Sequence, residues 1–145
     1  MTGRPDAGRL ADGAHLLPVR VYYEDTDAGG VAYHATYLRW MERGRSELLA
    51  ALGIDQQAAL ADGTGHYVVA DLAIRYRLPA RLQDALVVES RPVTAAAASA
   101  LIHQTVRRGD EVLATAEVRV AFVSGGRPAR QPAAWRERFA GLIAG

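Results

Sequence analysis

The feature that most limits the fold of this chain is one change in the spacing of its apolar residues. Over residues 35–52 they recur every three or four positions, whereas the segments on either side alternate every second position. The wider spacing predicts an amphipathic α-helix about 27 Å long. Gly53 follows directly and suits the left-handed position that often ends a helix. The recurring residues are Tyr37, Met41, Gly44, Leu48 and Leu52.

Strands flank this helix in the sequence. The segment 17–24 alternates before it, and four more strands are predicted after it, with Gly109 and Asp110 joining the last two as a hairpin. One sheet must bury a face against the long helix. The prediction is therefore an α+β fold with a curved antiparallel sheet wrapped around one long central helix. The four later strands are expected at 66–77, 85–93, 99–108 and 111–123.

Alternation also predicts which side chains of two strands point inward. In the first strand after the helix, the expected inner face is Val68, Ala70, Leu72, Ile74 and Tyr76. In the last strand it is Val112, Ala114, Ala116, Val118, Val120 and Phe122.

The ends of the chain read differently from its middle. Residues 1–14 are rich in Gly, Asp and Ala without a period, which predicts a flexible tail. Residues 15–125 form the predicted single domain, with a second short helix within 54–63. Residues 126–145 are expected to form a loop followed by a short helix over "AAWRERFAGLIA".

Composition excludes several classes of function. The net charge of +1 gives no sign of nucleic acid or an anionic membrane as a partner. There is no cysteine, so disulfides, thiol catalysis and cysteine metal sites are excluded. All 17 basic residues are arginine, so any charged contact with phosphate must use arginine. No apolar run is long enough to span a bilayer. The expected location is the cytoplasm, with a peripheral position at the inner membrane as the alternative.

The loop between the first strand and the long helix carries the most chemistry. Asp27 precedes Gly29 and Gly30, and the helix begins a few residues later. The first N–H groups of a helix lack internal partners and carry its positive dipole end, so they can stabilise an oxygen that gains negative charge. Glycine lets backbone and ligand approach closely. A carboxylate beside such a helix start can act as a general base or as a nucleophile in acyl transfer to water.

The stretch "VRVYYEDTDAGGVAYHATYLRWMERGR", and above all "DTDAGGVAYHATYL", resembles the signature of the hotdog-fold acyl-CoA thioesterases. It is most similar to their Tol-Pal-associated, 4-hydroxybenzoyl-CoA-thioesterase-like branch, and the similarity covers about residues 17–125. The resemblance implies hydrolysis of acyl-CoA thioesters, or acyl carrier protein thioesters in some members, by a homodimer or homotetramer. It implies no metal and no organic cofactor.

The resemblance also assigns roles to residues. Asp27 matches the catalytic carboxylate, and His34 matches the position whose backbone N–H polarises the thioester carbonyl. The expected substrate-binding residues are Gly29, Gly30, Val31, Tyr33, Tyr37 and Ser99. Relatives often carry a polar Arg/Lys-Gly-Thr/Ser stretch near the CoA phosphates, where this chain reads "TAAAASA" and keeps only Ser99. Arg81 and Arg107 are alternative phosphate ligands.

Several alternatives stay open at this point. Asp27 could be a turn residue that caps its own backbone, and Glu42 could be the catalytic acid, as in another hotdog branch that uses a helix glutamate. Glu24 and Asp25 are predicted to be structural or solvated, and the three histidines other than His34 to be structural. Two other functions compete: a hotdog hydratase or dehydratase, whose motif is absent, and a non-catalytic protein that binds acyl thioesters.

Overall fold

The computed structural model describes Gly3 and residues 5–145. Seven strands form one antiparallel sheet in the order β1-β2-β4-β5-β6-β3, with the short β7 paired to β6. The helices are α1 (Thr36–Ala51), α2 (Gln56–Ala61) and α3 (Ala133–Ala144), and a 3-10 turn covers Tyr23–Asp25. The strands are β1 (Arg9–Ala11), β2 (Ala14–Arg20), β3 (His66–Tyr76), β4 (Ala85–Ala95), β5 (Ser99–Arg108), β6 (Glu111–Ser124) and β7 (Arg127–Pro128).

Helix α1 lies on the concave face of the sheet and forms the centre of the core. It packs on β2, β4 and β5. Four of the five residues predicted to form its apolar stripe are buried, and the fifth, Leu52, is partly buried just beyond the end of the helix. Gly44 is the closest point of approach, since a Cβ there would lie 2.8 Å from Ser90 Oγ. The predicted α+β architecture, a sheet wrapped around one long helix, is therefore confirmed. Gly53 ends the helix region with φ +76°, as expected.

The hairpin and C-terminal predictions agree closely with the structure. Arg108 pairs with Glu111 across the two-residue Gly109-Asp110 turn, which joins β5 to β6. The last helix has the predicted bounds. Most of the predicted inner face of β6 is buried, but an irregularity after Val106 also buries Leu113. In the part of the chain that the structure describes, no helix is long and apolar enough to cross a membrane.

The start of the domain differs from the prediction. Within the segment predicted as a flexible tail, β1 pairs with β2 through Asp12 and Gly13, whose φ angles are 52° and 77°. Two positive φ values in a two-residue Asp-Gly loop are the pattern of a tight hairpin turn. Strand β2 consequently begins at Ala14 and ends at Arg20, before the predicted end at residue 24. The carboxylate of Asp25 accepts from the backbone N–H of Tyr22 at 2.8 Å, which favours the 3-10 turn there.

The predicted inner face of β3 is wrong in its first half. The register with β6 shifts between Val69 and Asp71, so Ala70 is an extra residue in a β-bulge. Alternation changes phase at that point. Tyr67 packs against the core before the bulge, and Leu72 and Ile74 do so after it. Strand β3 is the outermost strand of the sheet and is exposed along most of its length.

Candidate active site

The loop between the 3-10 turn and α1 is a compact turn held by its own backbone. The N–H of Asp27 donates to the carbonyl of Val31 at 2.9 Å, and the N–H of Gly30 donates to the carbonyl of Asp27 at 3.2 Å. Gly30 adopts φ +79°, which only glycine takes without strain. The turn closes on itself and presents the Asp27 side chain at the surface.

The two carboxylate oxygens of Asp27 have different surroundings. Its Oδ1 accepts from the N–H of Gly29 at 2.7 Å, which is the capping interaction considered from the sequence. Within the described part of the chain, Oδ2 has no hydrogen-bond donor. One oxygen therefore fixes the orientation of the carboxylate while the other remains available for chemistry.

Backbone hydrogen bonds fasten the loop to the turn between β3 and β4. The N–H of Ala32 donates to the carbonyl of Ala80 at 2.8 Å, and the N–H of Ala80 donates to the hydroxyl of Tyr37 at 2.9 Å. On the other side, the carbonyl of Asp25 accepts from the N–H of Tyr33 at 2.8 Å and from the hydroxyl of Thr36 at 3.1 Å. The start of α1 is thus fixed from two directions.

His34 lies two residues before the first residue of α1. Its backbone N–H has no acceptor among the residues that the structure describes, and Ala35, the N-cap, makes no side-chain cap. The hydroxyl of Tyr76 donates to the carbonyl of His34 at 2.7 Å. Partial burial, with a smaller contribution from Tyr37, raises the pKa of Tyr76, so this hydroxyl stays protonated and remains a donor. The N–H of His34 shares its peptide plane with the carbonyl of Tyr33, which accepts from the N–H of Thr36 at 2.9 Å. The peptide planes on both sides of His34 are therefore fixed, and its free N–H is held in a defined orientation.

Aromatic side chains surround this N–H. The ring of His34 lies 4.4 Å from the ring of Tyr33 and 6.4 Å from that of Tyr76, measured between centroids. Tyr37 stacks edge-on against Tyr76 at 5.2 Å. A cavity of about 290 Å³ opens here, lined by Ala32, His34, Tyr37, Tyr76, Arg77, Leu78 and Pro79.

The predicted site residues fall into two groups. The structure brings Asp27 and His34 into one loop, with Gly29 and Gly30 at its tip. Val31 bridges to Arg81 on the neighbouring turn. Tyr33 is 49% exposed beside His34, whereas Tyr37 is 3% exposed and belongs to the core as well as to the cavity wall.

Ser99 does not join this group within one chain. It pairs with Ala121 of β6, whereas Tyr76 pairs with Ala114. Seven residues separate these two positions along β6, which is about 23 Å in a strand. Ser99 and His34 therefore lie toward opposite ends of the sheet in a single copy of the chain, and the prediction that Ser99 binds substrate stays a prediction.

The other acids and histidines named from the sequence have separate surroundings. Asp25 is occupied by the Tyr22 N–H, and Glu42 is exposed on α1, two turns beyond His34. His103 lies 3.3 Å from Glu117 on the outer face of the sheet. Among the described residues, no three His, Asp or Glu side chains gather into a group that could hold a metal ion.

Tyr76 is the functional candidate that sequence reasoning missed. Alternation assigned it to the inner face of β3 and so to packing. Its hydroxyl instead reaches across to the carbonyl of His34, 42 positions earlier in the chain. The pattern of apolar residues predicts the face of a strand, but it does not indicate which strand end meets the start of the helix.

Comparison with known proteins identifies relatives of this chain. The model of the thioesterase-like superfamily matches residues 21–142. The acyl-CoA thioesterase YbgC of Haemophilus influenzae is 44% identical over 118 residues, covering 81% of this chain and 87% of that protein. The acyl-CoA thioester hydrolase YbgC of Escherichia coli O6:H1 is 41% identical over 107 residues, covering 73% and 79%.

Solved structures give the same result for the fold. The crystal structure of a probable thioesterase from Bartonella henselae is 35% identical and superposes with a TM-score of 0.77, covering 82% of this chain and 99% of that one. The match to the family model extends over most of the sheet, the central helix and the candidate site. This chain belongs to the thioesterase-like superfamily and has its hotdog fold.

Proposed function

We propose that this protein is an acyl-CoA thioesterase that hydrolyses the thioester to a free acid and CoA. One observation carries the proposal: the unpaired backbone N–H of His34 and the free carboxylate oxygen of Asp27 belong to one loop at the start of α1. A helix start stabilises a developing oxyanion. The relatives named as acyl-CoA thioesterases supply the substrate class.

In the proposed reaction, the thioester carbonyl oxygen accepts a hydrogen bond from the N–H of His34. Asp27 takes a proton from water as the water oxygen attacks the carbonyl carbon. The negative charge of the tetrahedral intermediate develops at the His34 N–H. The C–S bond then breaks, and the sulfur of CoA leaves with the bonding electron pair and takes up a proton. Direct attack by the Asp27 carboxylate, followed by hydrolysis of the anhydride, is the alternative route.

Asp27 is exposed in one copy of the chain, and a second copy would enclose it. Strand β3 is an outermost strand of 11 residues, and its Val68 and Val69 are 39% and 47% exposed. An unpaired strand edge of this length is a template for pairing with another chain. We propose a homodimer in which two copies of β3 pair antiparallel, with a homotetramer as the larger alternative.

Arg81 is the proposed ligand for the phosphates of CoA. It bridges to Val31 of the site loop, and its side chain makes no ion pair in the described residues. Arg107, the other arginine considered, is engaged by Glu89 at 3.2 Å. The same arrangement would accept a phosphopantetheine arm on an acyl carrier protein. The cytoplasm remains the proposed location, with the inner-membrane surface as the alternative.

A thiol-release assay with a panel of acyl-CoAs tests the activity. Since the sequence contains no cysteine, a thiol reagent detects only the released CoA. We expect release from at least one acyl-CoA, and the panel identifies the acyl class. Tight binding of acyl-CoA without release would instead favour the non-catalytic binding protein. Loss of the enoyl absorbance of an enoyl-CoA without thiol release would favour the hydratase.

Single-turnover hydrolysis in heavy-oxygen water separates the two routes. Attack by water leaves the label in the free acid alone. When Asp27 attacks and water then opens the anhydride at the Asp27 carbonyl carbon, one oxygen of the Asp27 carboxylate carries the label. Label in Asp27, detected by mass spectrometry of the peptide, therefore establishes the covalent route.

A further inference from the structure

One largely buried cation on α1 makes no direct ion pair, although the Glu42 carboxylate one turn earlier on the same helix attracts it at longer range. Arg45 on α1 is 8% exposed, and its Nη1 donates to Gln104 Oε1 at 2.9 Å. No carboxylate lies within ion-pair distance of Arg45 in the described residues, and no other acceptor meets its guanidinium. An arginine carries five N–H donors. Among the described residues only His15 Nδ1 is a buried side-chain polar atom without a partner, so the Arg45 donors that do not meet Gln104 reach water. Buried charges are ordinarily paired, which makes this side chain unusual.

The hydrogen bonds around Gln104 keep the guanidinium in place. The Nε2 of Gln104 donates to the carbonyl of Met41 at 2.8 Å and to the hydroxyl of Ser90 at 2.9 Å. Its Oε1 is thereby fixed as the acceptor for Arg45. Part of the cost of removing the guanidinium from water is already included in folding, so a ligand that meets it incurs only the remainder.

The guanidinium faces a cavity of about 420 Å³ between α1 and the edge strand β3. This volume is within the usual range for small-molecule sites. The wall is polar and apolar in about equal parts, and Arg45 is the one buried charge among its described lining residues. The lining residues that close it on the apolar side are Leu49, Tyr67, Val68, Val69, Ile102 and Val120.

We infer that this cavity holds the far end of the acyl group and that Arg45 selects acyl chains ending in a carboxylate. The inference rests on the proposed thioesterase function and specifies its substrate class. The apolar side of the wall suits the methylene chain, and the planar fork of arginine matches a carboxylate with two parallel hydrogen bonds. Glu42 also lines the cavity but is exposed to water at its rim, where its repulsion is screened.

The cavity and the His34 loop meet when two chains associate. Along one α1, the 11 positions from His34 to Arg45 correspond to about 16 Å. Tyr67, Val68 and Val69 lie near the N-terminal end of β3. Tyr76, whose hydroxyl donates to the carbonyl of His34, is the C-terminal residue of the same strand. Antiparallel pairing of two copies of β3 brings the N-terminal end of one strand beside the C-terminal end of the other. In the proposed dimer, the thioester carbonyl at one copy's helix start would face the Arg45 cavity of the second copy.

Matched pairs of thioesters test the inference on the full chain. Butyryl-, hexanoyl- and octanoyl-CoA are compared with succinyl-, adipoyl- and suberoyl-CoA, which have the same numbers of carbons and a terminal carboxylate. We expect kcat/KM for at least one dicarboxylic thioester to exceed that of its matched partner by tenfold or more, as an added charge-assisted hydrogen-bonded pair allows. 6-Hydroxyhexanoyl-CoA should not show this gain.

Variants then assign the preference to Arg45. Arg45→Met should bring the ratio of dicarboxylic to plain substrate close to one, and Arg45→Lys should give an intermediate ratio because the charge stays and the fork is lost. Glu42→Gln should raise the ratio by removing a like charge from the rim, and this exposed change does not depend on refolding of the core. Arg43→Met is the matched control, since Arg43 is an exposed arginine of the same helix outside this cavity.

The outcomes separate this inference from the proposed function. Hydrolysis of plain acyl-CoAs without any gain from a terminal carboxylate, or a larger gain from the hydroxyl, would overturn the inference alone. Equilibrium binding of the same thioesters to Asp27→Asn measures the preference without turnover. A tenfold binding preference in a protein whose wild type releases no thiol would support the inference and overturn the proposed hydrolysis.

Discussion

The loop around Asp27 and the contact between α1 and the sheet at Gly44 are held together by different kinds of interaction. The loop is exposed and held by backbone hydrogen bonds, such as Asp27 N–H to Val31 and Ala32 N–H to Ala80. At Gly44 the contact is made by buried side chains, with Ser90 and Gln104 against the helix backbone. The side chains that would do chemistry in the loop therefore contribute little packing.

This contrast separates activity from stability along the chain. Exposed groups whose partners are backbone atoms can be changed at a small cost in folding free energy, whereas buried close contacts cannot. Changes in the loop should alter catalysis with nearly normal stability. Changes at the helix contact should alter stability first.

The largest effect on stability is expected for Gly44→Leu. A Cβ at this position would lie 2.8 Å from Ser90 Oγ and 3.0 Å from Val88 Cγ1, so the helix must move off the sheet. Overpacking of this kind lowers the free energy of unfolding by about 3 kcal/mol, which urea denaturation measures. Gly141→Ala in α3, where nothing lies within 4 Å, is the control and should stabilise the protein by about 0.5–1 kcal/mol. Equal changes in the free energy of unfolding for Gly44→Leu and Gly141→Ala would contradict the view that the contact at Gly44 is tightly packed.

Tyr76→Phe should have a smaller effect, and on catalysis. The change removes the hydrogen bond to the carbonyl of His34 and leaves the ring in place. One such bond is worth about 1 kcal/mol, so kcat/KM should fall by about fivefold while the free energy of unfolding changes by less than about 1 kcal/mol. Tyr23→Phe, at a tyrosine that is 83% exposed, is the matched control and should behave as wild type. An unchanged kcat/KM in Tyr76→Phe would show that His34 needs no such support.

The smallest expected effect is a pH dependence of stability that arises at His15. This residue is fully buried, and its Nε2 meets the carbonyl of Ala7 at 2.9 Å while Nδ1 has no partner in the described chain. Burial lowers the pKa of His15 below its usual 6.5, so the unfolded chain takes up a proton where the folded chain does not. The contribution of His15 to the free energy of unfolding is fully present above pH 6.5 and declines as the pH falls below that value.

Replacement of His15 by glutamine isolates this contribution. The amide can still donate a hydrogen bond but does not titrate near neutral pH. The free energy of unfolding of His15→Gln should therefore decrease less than that of wild type between pH 7.5 and pH 5. A wild-type decrease that persists unchanged in the variant would assign the dependence to other groups.

The periodic parts of the fold could be predicted from the sequence. Residues 35–52 and the last hairpin repeat their signal over many positions, and the structure places α1 and the β5–β6 turn accordingly. The Asp12-Gly13 turn carried an equally good signal, but β1 on one side of it has only three residues and is too short to show alternation. The bulge at Ala70 could not be predicted, because it depends on pairing with β6.

The candidate site was predictable in part for the same reason. Asp27 and His34 lie on one short loop, so their proximity follows from local sequence. Tyr76 and Ser99 depend on how strands are ordered and aligned in the sheet, which no local pattern contains. The unpaired state of the His34 N–H depends on Tyr33 donating to Asp25 and on where α1 begins.

The most direct test of the central claim pairs two measurements on wild type and Asp27→Asn: thiol release from the best acyl-CoA substrate, and urea denaturation. Asparagine keeps the shape of the side chain and its acceptor for the Gly29 N–H, but it cannot take a proton or attack effectively. We predict that kcat falls by about 10²-fold or more, with a free energy of unfolding within about 0.5 kcal/mol of wild type. Near-normal turnover by a folded Asp27→Asn variant would contradict the account.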